Sequence, residues 1–429
     1  MKATRIDLFS FKTPAMRAFH VTWTAFFCCF FAWFAIAPLM PVVRAEFGLT
    51  KEQVGNIVIA SVAATILARL GVGWLCDRFG PRRVYAGLLA VGALPVMGIG
   101  LAHDYASFLW LRFAIGAIGA SFVITQYHTS AMFAPNVVGT ANATTAGWGN
   151  LGGGVAQIAM PLLFAALVTL GFTEAGSWRV AMIVPGALML VLSVAYLKLT
   201  EDGPDGAVRA ASAASKRGSF RAAAKDPRSY VLALAYGACF GVELTVHNVA
   251  ALYFHDRFGL DLKSAGLVAG TFGVLAIFAR TLGGFLGDRA GQHLGLRGRV
   301  LALSLVLALE GAALAVFSRI GALPAAIAAL VVFGLFTHMG AGATYAVIPF
   351  VKKSAVGAVA GIVGAGGNAG AVAAGLMFRS EGFTAEAAFF VLGIAVMAVG
   401  ALVLLVRFDP SESAEASSPV AVPAPEPAE

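Results

Sequence analysis

Two arginines sit deep inside apolar sequence. They belong to the related stretches ARLGVGWLCDRFG (68–80) and ARTLGGFLGDRAG (279–291). Arg69 precedes Asp77-Arg78 by eight residues, and Arg280 precedes Asp288-Arg289 by eight. On a helix, eight residues rising 1.5 Å each put an arginine roughly 12 Å from its aspartate. The apolar core of a bilayer is about 30 Å thick, so both guanidinium groups belong near its midplane. An arginine there costs roughly 2.5–3.5 kcal/mol even on lenient insertion scales. It persists when a carboxylate pairs with it or an anionic ligand meets it.

Away from the ends of the apolar runs, where Glu386 lies, the carboxylates inside them are Glu243 and Glu310, and Glu310 falls on a helix expected at the periphery. Two arginines against one central carboxylate leave net positive charge, which predicts a site for a small anion between Arg69 and Arg280. A guanidinium offers a planar fork of donors that matches a planar oxyanion. The competing reading pairs Arg69 and Arg280 with Glu243 and with backbone carbonyls. Glu243 and His247 are four residues apart and share a helix face. They are a candidate pair for carrying a proton, with a hydrogen-bonded structural pair as the equal alternative.

Two glycine-rich stretches carry amides. AGWGNLGGGVAQ (146–157) holds Gly149, Asn150, Gly152, Gly153 and Gly154, and GAGGNAG (364–370) holds Gly367, Asn368 and Gly370. Glycine at this density inside a span means close helix contact or a thin wall. An asparagine beside it can hydrogen-bond a ligand. The second stretch contains GxGxxA, a weak dinucleotide fingerprint, but no strand precedes it and that reading fails. Tyr127, His128, His338 and Tyr345 are candidates for lining a path. A lone histidine in a span is more often satisfied by a carbonyl, which keeps His128 and His338 outside the core assignment. Arg112 lies nearer the end of its run and reads as a brace, grouped with Asp77, Arg78 and Asp288 as residues of conformational gating. Cys28, Cys29, Cys76 and Cys239 lack ligand spacing with histidine and read as small buried hydrophobes.

The elements that must hold these residues are membrane helices. The chain is 59% hydrophobic and 12% charged, about half the charge of a soluble domain. Twelve apolar runs are long enough to cross: 20–42, 51–75, 82–101, 107–133, 138–170 and 178–199, then 229–255, 263–286, 299–317, 323–350, 355–378 and 384–407. The first is too long for a signal-peptide core and has no small-residue cleavage site. The expected organisation is a six-helix bundle over 1–199, a polar, basic cytoplasmic linker over 200–228, a second six-helix bundle over 229–407 and a disordered tail over 408–429. Lys2, Arg5, Lys12, Arg17, the basic cluster 198–228, Arg297, Arg299, Lys352 and Lys353 all fall on one side, which places both termini in the cytoplasm. The net charge of +8 is a topology signal, and nucleic acid is not expected as a partner. Repeats of six helices about an axis along the membrane normal are a known transporter plan, with the site midway between the halves.

The stretch GWLCDRFGPRR (73–83) resembles the loop motif between the second and third helices of the major facilitator superfamily, and 284–291 resembles its degenerate copy. LRFAIGAIGA (111–120) resembles that superfamily's fourth-helix motif, with Ile115 where the family often has Gln. GWGNLGGG together with GAGGNAG resembles the paired signature of its nitrate/nitrite porter (NarK-type) family. The resemblance covers nearly the whole chain and implies an all-α membrane protein with twelve transmembrane helices in two six-helix pseudo-repeats. It implies an anion site built from Arg69, Arg280, Asn150 and Asn368, with Phe122 in an aromatic wall. It implies that Asp77 forms a cytoplasmic charge lock with neighbouring arginines and a helix N-terminus. The residues around Glu243 look like the proton-linked branch of that family.

The expected function is secondary transport of nitrate, and of nitrite with it, across the inner (cytoplasmic) membrane by alternating access with proton-coupled uptake. The alternatives are a nitrate/nitrite antiporter and a major facilitator carrier for another small anion. Moving one charge against 100 mV costs about 2.3 kcal/mol, so potential-driven nitrate entry needs roughly two or more protons per anion. A channel fits the two-repeat pattern poorly, and nothing in the sequence suggests an enzyme or a cofactor. The expected partners are the bilayer, the anion and protons, with a monomer as the working unit.

Overall fold

The helix ends follow from local chemistry. Phe47-Gly48-Leu49-Thr50 and Phe258-Gly259-Leu260-Asp261 close one helix and open the next at equivalent places in the two halves. Gly48 (φ 60°) and Gly259 (φ 65°) take the left-handed conformation that stops a helix, where a side chain would cost about 1–2 kcal/mol. Two residues later the Thr50 side chain accepts from the Gln53 backbone, and the Gln53 side chain in turn accepts from the Thr50 backbone. Asp261 accepts from the Lys263 and Ser264 amides. Both caps satisfy donors that a new helix leaves unpaired.

The computed structural model describes residues 2–134, 137–204, 206, 220–352 and 355–408, with helices and no strand among them. It contains 11 long apolar helical segments. The longest, Leu262–Phe317, has 56 residues, about 84 Å if straight and far more than one bilayer crossing. Leu294 (φ −125°) and Gly295 (φ 60°, ψ −153°) break it into two passes, 262–293 and 296–317. The chain therefore makes twelve passes, in order Pro14–Phe47, Lys51–Phe79, Pro81–Leu101, Tyr105–Met132, Val138–Thr169, Glu174–Leu199, Pro227–Phe258, these two, Leu323–Val351, Val356–Arg379 and Ala385–Val403. Of the expected linker, 205 and 207–219 lie outside the described residues, and 220–225 are helical. The expected tail lies outside them from 409 onward.

The first pass packs on the fifth and the seventh on the eleventh; the fifth meets the eighth and the eleventh meets the second; the third pairs with the sixth and the ninth with the twelfth. Adding six to each number reproduces the pattern, which is the two-repeat plan in contacts. Glycine permits the closest of these approaches. A Cβ on Gly152 would stand 2.9 Å from the Phe31 nitrogen, and one on Gly370 would stand 2.7 Å from Gly237 Cα. Backbone cannot yield as a flexible side chain can. Gly370→Ala is expected to cost about 1–3 kcal/mol, seen as a Tm lowered by a few degrees in detergent-purified protein. An unchanged Tm would show that the seventh and eleventh passes have room to spare.

The fourth pass is interrupted at mid-length by a 3-10 segment, Ala117–Ala120. Gly119 presses there against the Trp33 ring and the Thr65 hydroxyl. The tighter turn precedes Phe122 and sets the direction in which that ring projects.

Candidate substrate site

Arg280 on the eighth pass and Glu243 on the seventh form a buried ion pair, Nη2 to Oε2 at 2.5 Å. Glu243 is wholly buried and Arg280 is 8% exposed. Asn150 reaches the same guanidinium from the fifth pass. With its amide oxygen turned inward, that oxygen accepts from Arg280 Nε at 3.0 Å and Nη2 at 2.8 Å. Phe240 lies beneath, its ring centre 5.5 Å from Arg280 Cζ.

Arg69 on the second pass is held differently. Its Nη1 donates to the Gly364 carbonyl at 2.7 Å, and its Cζ lies 5.6 Å from the centre of the Phe122 ring. The same carbonyl accepts from Asn368 Nδ2 at 3.2 Å. Each arginine is thus attended from the opposite half: Arg280 by Asn150, and Arg69 by the carbonyl that Asn368 also holds. Buried Arg69 Nε and Asn368 Oδ1 have no hydrogen-bond partner among the described residues. Buried polar atoms are rarely left so, and atoms with spare donor or acceptor capacity at one place suit a polar ligand.

Aromatic rings join the two arginines. Phe122 meets Tyr345 at 6.2 Å, Tyr345 meets Tyr236 at 5.3 Å, and Tyr236 stacks on Phe240 at 4.9 Å. The glycine signature seats this wall. Gly149 lies against Phe26, itself 5.7 Å from Phe122. A Cβ on Gly367 would stand 2.7–2.9 Å from the Phe240 and Tyr236 rings. Gly153 faces the His247 ring, and Gly154 faces the Gly273 backbone across the halves.

Both pairings that the sequence left open as the competing reading are formed: Arg280 with Glu243, and Arg69 with a backbone carbonyl. They do not cancel the charge. Two guanidinium groups face one carboxylate, and the cluster keeps an excess of positive charge.

Other candidates are distributed around it. His247 lies on the Glu243 helix, but its ring packs between Phe34 (4.8 Å) and Phe272 (5.6 Å), and neither ring nitrogen has a hydrogen-bond partner among the described residues. Glu243 meets His338 instead, Oε2 to Nδ1 at 3.4 Å. His128 is satisfied by the Tyr196 hydroxyl (2.5 Å) and the Glu201 carbonyl (2.7 Å). Arg112 is fully buried and donates to the Trp33 carbonyl (2.5 Å) and to Asn248 Oδ1 (2.8 Å), so its brace runs between the halves. The third pass's first turn is held by Asp202, whose Oδ1 accepts from the Arg82 amide at 2.8 Å. Asp77 lies half-buried beside Tyr127, and Arg78 lies over Trp74 and Phe79. Asp288 pairs with Arg299 on the ninth pass.

Sequence reasoning missed Tyr236, Phe240 and Asn248 as site residues. Tyr236, Phe240 and Glu243 are spaced four and three apart, one face of one helix, and that periodicity was the available signal.

The Major Facilitator Superfamily model matches residues 22–371 and 239–427. The high affinity nitrate transporter 2.5 of Arabidopsis thaliana is 39% identical over 95% of this chain and 82% of its own length. The high-affinity nitrate transporter 2.3 of rice, Oryza sativa subsp. japonica, is 37% identical over 95% of this chain and 81% of its own. The nitrate/nitrite transporter NrtP of Nostoc punctiforme is 28% identical over 91% of both chains. In structure, a bacterial homolog of the human lysosomal transporter Spinster superposes with a TM-score of 0.68 at 16% identity, covering 94% of this chain and 96% of that one. That last likeness concerns the fold. The repeated arginines, the paired Asn-Gly signatures, the twelve passes and these relatives agree: the chain is a multi-pass membrane transporter that belongs to the nitrate/nitrite porter family of the major facilitator superfamily.

Proposed function

We propose that this transporter carries nitrate, and nitrite with it, into the cell by alternating access, driven by co-entry of protons. The observation that carries the proposal is the convergence of Arg69 and Arg280, one from each half, each attended by the other half's signature segment. A planar anion between them is held by two forks, hydrogen-bonded by Asn150 and Asn368, and packed against Phe122. Binding relieves the repulsion between the guanidinium groups and so favours closure around the anion. The names of the relatives favour nitrate over an organic acid or phosphate.

The rocking bodies in this reading are 1–199 and 229–407, tethered by 200–228, with both termini on the cytoplasmic side of the cytoplasmic membrane. Arg44 grips Asp256 through two bonds of 2.5 and 2.6 Å, Glu52 pairs with Arg379, and Lys51 Nζ donates to the Ser380 carbonyl at 2.8 Å. All three ties join the halves at the face opposite the termini, the outer mouth. At the other face Asp288–Arg299 stays within one half, and Arg17–Glu201 ties the first pass to the start of the linker. This supports a conformation sealed on the outside, in which opening outward must break the Arg44–Asp256 and Glu52–Arg379 pairs.

The test is uptake of labelled nitrate into proteoliposomes, empty or nitrite-loaded, each with and without an inward proton gradient. Gradient-driven uptake into empty vesicles is expected. Uptake confined to nitrite-loaded vesicles would replace symport by exchange, and no nitrate uptake in any arm would overturn the substrate.

A further inference from the structure

We infer that the coupling proton is held between Glu243 and His338, and that His338 rather than His247 gains and loses it. This rests on the proton-driven reading above. His338 Nε2 lies 3.1 Å from the Phe272 carbonyl oxygen, and Nδ1 lies 3.4 Å from Glu243 Oε2. With Nε2 donating to the Phe272 carbonyl, Nδ1 is the nitrogen left facing the carboxylate. At 3.4 Å it is within ion-pair range of Glu243 but makes no hydrogen bond among the described residues in this conformation. A proton placed between the two, on Nδ1 or on the carboxyl, converts that contact into a bond, and on Nδ1 it makes the ring an imidazolium. Both residues are fully buried, where an ion needs its counter-charge close by. Glu243 supplies it for His338. The nitrogens of His247, between its two phenyl rings, meet no acceptor among the described residues.

The groups around the pair fix the consequence. Arg280 faces it from the eighth pass, Tyr236, Cys239 and His247 from the seventh, Tyr345 from the tenth and Glu310 from the ninth, with Arg69 beyond the tyrosines. Arg280 and His338 draw on the same oxygen, Glu243 Oε2. With the proton on, Glu243 is shared, Arg280 is less committed to it, and the site carries one more positive charge for an anion. With the proton off, Glu243 belongs to Arg280 alone. Proton and anion therefore favour each other's binding, and by linkage each does so to the same degree.

Calorimetric titration of nitrate into the purified transporter, in buffers of different ionisation enthalpy, reads this directly. The wild type is expected to take up protons as nitrate binds, with Kd weakening by up to about tenfold per pH unit as the pair deprotonates. His338→Gln is expected to bind nitrate with no proton uptake and a flat pH profile, and His247→Gln to retain proton uptake. Proton uptake kept in His338→Gln, or lost in His247→Gln, would overturn the assignment. If His338→Gln binds no nitrate, nitrogen-15 spectra of ring-labelled histidine in the ligand-free wild type, recorded as the pH is lowered, decide: a buried imidazole that becomes doubly protonated at the acid end is expected, and its absence overturns the pair. Nitrate heat without proton uptake in the wild type defeats this inference alone. No nitrate heat defeats the nitrate reading, and the nitrogen-15 spectrum still tests the pair.

Discussion

Arg69→Lys is expected to lower nitrate transport on the order of a hundredfold while leaving the fold nearly as stable as before. The two effects separate because Arg69 holds no carboxylate among the described residues. Its polar tie is a single bond to the Gly364 carbonyl, which an ammonium can also make, and its stem packs as a lysine stem would. What lysine lacks is the planar fork and the delocalised face that lies over Phe122. A hydrogen bond to a charged group contributes about 1.5–3 kcal/mol, and each 1.4 kcal/mol is roughly tenfold in affinity. Losing one arm of the fork at the upper end of that range gives the hundredfold. The check is initial-rate nitrate uptake beside a thermal unfolding curve on the same preparation. An Arg69→Lys transporter within about threefold of wild type would mean that Arg69 supplies charge without geometry, and the two-fork site would have to be abandoned.

The sequence made the arginines legible because a charge inside an apolar run is rare and has few explanations. Their eight-residue spacing to an Asp-Arg pair gave their depth, and the repeat gave their relation. The asparagines were legible through the glycines around them. What could not be read was which partner each group takes, because partners come from other helices. Arg69 bonds a backbone carbonyl at Gly364, and no side chain in the sequence marks it. His338 looked like one more span histidine, since its two partners are the Phe272 carbonyl on the eighth pass and Glu243 on the seventh. Helical spacing put Glu243 and His247 on one face correctly, yet a shared face does not require contact. Asn248, the next residue, makes the polar contacts to Arg112 and Ser61, while the His247 ring is enclosed by phenylalanines. The fold was legible for a simpler reason: a bilayer admits few arrangements of twelve apolar runs.

The Arg280–Glu243 pair should show stability and function pulling in opposite directions. Arg280→Ala leaves Glu243 buried without its guanidinium partner, and breaking a buried pair from one side costs about 3–5 kcal/mol. Replacing both residues, as Arg280→Ala with Glu243→Gln, removes the stranded charge and should recover most of that loss. The coupling energy of the double-mutant cycle, read from unfolding midpoints in detergent, is expected to reach several kcal/mol, above the roughly 0.5–3 kcal/mol usual for neighbouring residues. Glu243→Gln alone should behave differently. It frees Arg280 and removes the one negative charge that competes with the substrate. Two unit charges about 4 Å apart interact by roughly 4 kcal/mol at an effective dielectric constant of about 20, so even a fraction of that repulsion, once removed, should tighten nitrate binding by about tenfold or more. The same change should lower stability, because Arg280 loses its counter-charge, and should abolish the proton dependence, because His338 loses the acceptor that holds its second hydrogen. Tighter binding with a lower Tm would identify Glu243 as a residue that keeps the empty carrier folded by occupying the cation meant for the anion. Weaker binding in Glu243→Gln would assign the carboxylate to positioning Arg280 for the substrate, and would leave repulsion between Arg69 and Arg280 as the main term opposing closure of the empty site.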